Sequence, residues 1–224
     1  MPDRPPAPRA GDEPGRDGPA PQRTGLRRAY TLWAPVYDVL VAGATRGMRR
    51  ASLARLDVGT GDTVLLVGIG TGLDLPWLPP GPRYAGVDLT PAMLERARRR
   101  ADRDRRVIDL RVADAAALPY ASAGFDAVVM HLILAVVPDP VAALREAARV
   151  VRPGGEIAIV DKFLRPGQRA PLRRLAAPVM RRIATRTDVV LEDCLASVDG
   201  LEVVDDEALG AAGWFRRIRL RRAA

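Results

Sequence analysis

The chain has 224 residues, 48% of them apolar, and a formal net charge of +8, enough for one domain with a substantial core plus extensions. No apolar run reaches the roughly 18–20 residues of a membrane span, and no secretory apolar segment is visible. Cys194 is the only cysteine and His131 the only histidine. An internal disulfide is therefore excluded, a structural zinc site is not expected, and the expected setting is a reducing cytoplasm.

Residues 1–25 are rich in Pro, Gly, Arg and Asp and almost free of large apolar side chains. Such a segment cannot bury enough surface to offset chain entropy and is expected to be a disordered tail. Residues 26–58 are expected to form a helical lid segment. Within it, Arg28–Asp38 holds Tyr30, Trp33 and Tyr37 in a chain with few aromatics. Residues 59–224 are expected to form the main domain.

That domain opens with Val64-Leu65-Leu66-Val67, an apolar run that reads as a buried parallel strand. It breaks into three alternating glycines, Gly68, Gly70 and Gly72. Glycine is needed where a backbone takes positive φ or where a ligand approaches the main chain. Pro76, Pro79 and Pro80 then cut short the helix that would follow. The next strand ends in Tyr84-Ala85-Gly86-Val87-Asp88, and Thr90-Pro91 reads as an N-cap with proline at the first helical position. Asp88 thus falls at a strand's C-terminal end, where open α/β sheets bind ligands.

Leu110–Asp114 reads as a short strand ending in an acid, and Phe125–Met130 as a fourth strand. Phe125-Asp126 reads as a strand entry and Asp139-Pro140 as a helix cap; neither acid reads as catalytic. Val150–Glu156 reads as a helix end and a Pro-Gly-Gly turn, leading into the strand Ile157–Val160. Two late strands follow, near Leu201–Asp205 and Phe215–Leu220. Strands alternating with helices imply an α/β fold with a mostly parallel sheet and right-handed crossovers.

A strand, a glycine loop and an acid after the next strand together form a nucleotide-binding pattern. The dinucleotide fingerprint requires its third glycine at the position of Leu73, whereas here Gly72 comes one residue early. The resulting G-x-G-x-G, followed in order by Asp88, Asp114, the Phe125 strand and Pro153-Gly154-Gly155, resembles the class I S-adenosylmethionine (SAM) methyltransferases over roughly residues 26–224. The resemblance implies a Rossmann-like fold with seven strands in the order 3-2-1-4-5-7-6, the last antiparallel. It implies SAM as cofactor, with Gly68, Gly70 and Gly72 forming the loop and Asp88 accepting the ribose hydroxyls. It also places Leu89 beside the adenine, Asp114 at the adenine amino group and the Ala115 N–H at a ring nitrogen; an Asx turn is the competing reading of Asp114. Tyr30 and Tyr37 match tyrosines of a segment that closes over SAM; packing of that segment on the sheet edge is the competing reading. One departure stands out: Leu66 occupies the position where the family usually carries an acid that orients the loop or the SAM amino group.

His131 and Lys162 both fall at the active-site edge, after strands four and five. His131 is read either as a base or substrate contact, suited by its ordinary titration range, or as a packed side chain with satisfied nitrogens. Tyr37 is the second candidate for contact with the acceptor, and Lys162 reads as a solvated or paired charge. Residues 162–186 carry eight basic side chains and no acid. They are read either as a basic amphipathic helix on an anionic membrane surface or as a core-packed helix with a solvated arginine face.

The glycine loop, Val136–Pro140 and Asp161-Lys162-Phe163 together resemble the bacterial phosphatidylethanolamine N-methyltransferase branch, close to the quinone-biosynthesis methyltransferases. This implies methyl transfer to a phospholipid amine or another amphiphilic small molecule, by a cytoplasmic protein that is peripheral at the inner membrane face. The alternatives are a quinone or natural-product C- or O-methyltransferase and, given Leu66, a non-catalytic SAM-binding regulator or scaffold. A nucleic-acid acceptor is not expected, since no Asn-Pro-Pro-Tyr-like motif follows strand four.

Overall fold

The computed structural model describes residues 43, 45–165, 167, 189–210 and 214–224. The tail, Tyr30, Tyr37 and most of the basic stretch 162–186 lie outside the described residues.

Seven strands form one sheet: β1 (Thr63–Val67), β2 (Arg83–Asp88), β3 (Asp109–Val112), β4 (Phe125–His131), β5 (Val151–Asp161), β6 (Leu201–Leu209) and β7 (Phe215–Arg222). Their order is β3-β2-β1-β4-β5-β7-β6. The pairs from β3 through β5 are parallel, and β7 runs antiparallel to both β5 and β6. This is the Rossmann-like arrangement expected from the sequence.

Alternation along β1 assigns its side chains to two cores. Leu65 and Val67 join a cluster with Val128, Met130, Leu144 and Ile159, beneath α3 (Pro140–Val150) and α4 (Leu191–Leu195). Val64 and Leu66 join a cluster with Leu53, Leu75, Leu94 and Val129, beneath helix α1 (45–53) and α2 (Pro91–Arg103). Burial on both faces explains why the central strands read as unbroken apolar runs.

Two local expectations are corrected. Pro153-Gly154-Gly155 does not form a turn ahead of the strand. Beta5 begins at Val151, directly after α3, and its register jumps from Phe125↔Val151 to Ala127↔Glu156. The intervening residues form a bulge, where Gly155 lies so close to Asp126 that a Cβ would sit 2.6 Å from its carbonyl oxygen. The third strand ends at Val112, leaving Asp114 in the turn beyond it.

The strands β6 and β7 are joined by charge as well as by backbone pairing. Arg216 reaches Asp206 at 2.6 Å and Glu192 at 2.7 Å. Arg217 bonds Glu207, and Arg219 approaches Glu156 at 3.7 Å.

Candidate functional site

The C-terminal edge of the parallel strands carries the site. Beta1 delivers the glycine loop there, and Ile69 N–H donates to the Val87 carbonyl at 3.0 Å, holding the loop against β2. Gly72 has φ +79, and a Cβ on it would lie 2.6 Å from Leu75 Cδ1 and 3.2 Å from the Ala97 backbone. Close packing of loop on α2 therefore requires glycine. Gly70 also has positive φ, +57, but a Cβ there would meet nothing nearer than 4.0 Å. The space above Gly70 is open, as an approaching ligand needs.

Asp88 ends β2 beside this loop. Its carboxylate accepts from the Gly70 N–H at 3.0 Å and the Thr90 N–H at 2.8 Å. Burial pushes its pKa up, against the lowering effect of these donors. Thr90 occupies the N-cap of α2 without a side-chain cap bond, so Asp88 does the local tethering through the Thr90 backbone. Next to it Leu89 is exposed at 36%, a large apolar side chain facing outward at the site. One strand further, Ala113 N–H donates to the Asp88 carbonyl. Asp114 accepts from the Ala116 N–H at 3.0 Å in an Asx turn, and Ala115 is buried. The structure thus brings Gly70, Asp88, Leu89 and Asp114 to one edge. A backbone cradle, a carboxylate with lone pairs to spare and an apolar side chain suit a ligand carrying hydroxyls and a flat base.

His131 takes the second of its two expected readings, a packed side chain with satisfied nitrogens, rather than that of a base or substrate contact. It is the last residue of β4, and its side chain is 1% exposed. Nδ1 lies 2.8 Å from Asp74 Oδ1 and Nε2 lies 3.0 Å from Ser52 Oγ. Both ring nitrogens are engaged inside the protein, so the ring offers none to an acceptor. Asp74 also accepts from Arg49 Nη1 at 2.7 Å. Burial alone would raise the Asp74 pKa, but attraction and hydrogen bonds from His131 and Arg49 outweigh it and hold the carboxyl well below the usual carboxylate range.

Sequence reasoning missed this network. Its signal was a polar stripe, Thr45, Arg49 and Ser52, at helical spacing i, i+4, i+7. All three are buried, and Arg49 Nε donates to Thr45 Oγ1. An inward-facing polar stripe needs buried partners, and Asp74 and His131 supply them.

After β4 the chain turns through Leu132, whose φ of +60 is strained for a branched side chain and costs about 1–3 kcal/mol. A Cβ on Gly68 would lie 2.5 Å from the Ile133 side chain. Asp161, at the end of β5, accepts from the Ala135 and Lys162 N–H groups at 3.0 and 2.7 Å. Burial pushes its pKa up. Lys162 Nζ lies 5.9 Å from the Phe215 ring centroid. Asp126 and Asp139 are structural: Asp126 accepts from Thr63 N–H and pairs with Arg152, and Asp139 caps α3 through the Ala142 N–H.

Leu66, standing where an acid was expected, is 1% exposed among apolar neighbours. Among the described residues no His, Cys, Asp and Glu group could hold a metal.

A methyltransferase domain family matches residues 65–159. A phosphatidylethanolamine N-methyltransferase of Cereibacter sphaeroides is 34% identical over 200 residues, covering 88% of this chain and 97% of that protein. A demethylmenaquinone methyltransferase of Renibacterium salmoninarum is 37% identical over 133 residues, covering 57% of this chain and 54% of that protein. The chain thus spans nearly all of the first relative and about half of the second. Among solved structures, the geranyl diphosphate C-methyltransferase of Streptomyces coelicolor, determined with S-adenosyl-L-homocysteine, shares the fold at a TM-score of 0.65 and 17% identity, over 80% of this chain and 78% of that one. The non-catalytic alternative gives way to these findings. The chain belongs to the class I S-adenosyl-L-methionine-dependent methyltransferases, enzymes that use SAM as methyl donor.

Proposed function

We propose that this methyltransferase methylates the amine of a phospholipid headgroup. The observation that carries the reading is the end-to-end likeness to the phosphatidylethanolamine N-methyltransferase of Cereibacter sphaeroides, which covers 88% of this chain and 97% of that protein.

The residues present fit SAM. The open approach at Gly70 admits the ligand to the backbone, and Asp88, at the edge of that opening, is an acceptor for the ribose hydroxyls. Leu89 would cover one face of the adenine, with Asp114 and the Ala115 N–H at its edge. When bound, SAM supplies an electrophilic methyl group and leaves as S-adenosylhomocysteine after transfer. The chain's task is then to hold the amine in line at roughly 3–3.5 Å from that methyl and to exclude water. His131 is committed to Asp74 and Ser52, which leaves Tyr30 and Tyr37 as the proposed contacts with SAM and the amine.

A basic and aromatic surface supports an anionic, amphiphilic acceptor. Arg46 and Arg50 stack on Trp77, at 5.1 and 5.6 Å from its ring centroid. Arg46 and Trp77 border a cavity of about 260 Å³ lined also by Arg49, Leu73, Pro76 and Arg100. Arg46, Arg50 and Arg100 have no acidic partner among the described residues, and each basic group near an anionic membrane contributes about 1 kcal/mol. Together with the stretch 162–186, this patch is the proposed contact with the inner membrane face. No described helix is long and apolar enough to cross a membrane.

A second reading, methylation of a quinone, draws on the likeness to the demethylmenaquinone methyltransferase. Mass spectrometry of products formed from a total lipid extract and SAM separates the two. Mono- and dimethylated phosphatidylethanolamine support the first reading. A methylated quinone with unchanged aminophospholipids overturns it. Co-sedimentation with anionic vesicles, lost at high salt, is expected; no binding at low salt removes the membrane contact.

A further inference from the structure

The buried polar side chains around His131 form a closed ring. Arg49 binds Asp74, Asp74 binds His131, His131 binds Ser52, and Ser52 returns to Arg49 along the same helix. The ring ties three segments together: α1, the stretch just after the glycine loop, and the end of β4.

Its position relative to Leu66 is informative. Leu66 and Val129 are register partners in parallel strands, and His131 lies two residues beyond Val129 on the same face. The ring therefore sits on the face of the sheet toward which the Leu66 side chain points, further along at the loop. Where the family's acid is replaced by leucine, a buried carboxylate enters from the other side of the glycine loop, on Asp74.

Ser52, His131 and Asp74 have the connectivity of a hydrolytic triad. That role does not fit, because the Ser52 residue is 2% exposed and lies within a helix, out of reach of a substrate. A filler role fits poorly too. Four polar side chains in an interior cost more than apolar packing unless every one is satisfied, and what a satisfied network gains is one fixed geometry. Here that geometry bears on the loop. His131 is followed by strained Leu132 and then Ile133, which lies directly over Gly68. Asp161 secures the far side of the same turn at Ala135. A ring free to rotate at His131 would release Leu132 and lift Ile133 from the loop.

We propose that His131 is a positioning residue for the SAM loop: anchored by Asp74 and Ser52, it sets the end of β4 against the loop, replacing the order that an acid at position 66 would give. The proposal rests on the assignment of the glycine loop to SAM and adds the device that holds it.

Calorimetric titration of the full chain with SAM, alongside thermal melts, tests it. His131→Leu keeps most of the volume and removes both bonds. His131→Asn keeps a donor near the Nδ1 position, and Asp139→Ala, at the cap of α3, lowers stability away from the loop. His131→Leu is expected to weaken SAM binding by about tenfold or more, His131→Asn to recover most of it, and Asp139→Ala to lower the melting temperature with affinity unchanged. Wild-type affinity in His131→Leu below its melting point, or equal losses in the Leu and Asn variants, overturns the proposal. If His131→Leu does not fold, Ser52→Ala decides: a loss of about threefold supports the anchor and an unchanged affinity overturns it. The wild-type titration reports separately on the cofactor assignment.

Discussion

Gly70 donates its backbone N–H to Asp88 Oδ2 at 3.0 Å, joining the glycine loop to the acid eighteen residues away. The bond holds the carboxylate beside the one loop glycine with open space above it. Loop and acid are thus joined directly through this bond.

Asp88→Ala removes this bond, the bond from Thr90 and the proposed ribose contact together. Hydrogen bonds to a charged group contribute about 1.5–3 kcal/mol each, so SAM affinity should fall about a hundredfold or more. Asp88→Asn keeps one acceptor oxygen and should fall between. Calorimetry with SAM measures both.

The glycines separate packing from ligand approach. Gly72→Ala places a methyl against Leu75 and the Ala97 backbone at positive φ, and should destabilise the fold by about 2–3 kcal/mol. Gly70→Ala meets open space and should cost only about 1–2 kcal/mol of backbone strain. Its loss should instead appear in SAM binding. Thermal melts with and without SAM distinguish the two patterns.

Asp74 gives a pH signature. Its pKa is lowered on folding, so its contribution to stability is present above the ordinary carboxylate value of about 4 and is lost as pH falls below it. Asp161 acts in the opposite sense: its raised pKa gives stability at low pH that is lost as pH rises through the raised value. Asp74→Asn should cost about 3 kcal/mol at neutral pH, because Arg49 loses its buried partner. It should also flatten the decline of melting temperature below pH 4. Melts between pH 2.5 and 7, at intervals of about half a pH unit, would show it.

Asp139→Ala should lower stability by about 1 kcal/mol through loss of the α3 cap, with turnover of lipid or any other acceptor unchanged below the melting temperature.

Much of this was legible in the sequence because it rests on local rules. An apolar run broken by alternating glycines must turn where it does, and the proline after Thr90 fixes the start of α2. The acids at 88 and 114 were placed by chain order. What escaped was non-local. His131 meets partners 57 and 79 residues away, and no spacing rule links Ser52, Asp74 and His131. The inward polar stripe of α1 was visible, but its partners were not. The bulge at Pro153–Gly155 was hidden for a similar reason: the sequence signals a turn, while strand pairing with β4 draws those residues into β5.

Because the chain has one histidine, its imidazole gives one set of ring resonances, with no second imidazole to confuse the assignment. That ring touches α1 and the stretch behind the glycine loop at once. Its Nδ1 proton, bonded to Asp74 and sealed from solvent, exchanges only when those elements part. The molecule therefore carries its own spectroscopic gauge, and an ordinary proton spectrum reads whether the cofactor floor is intact.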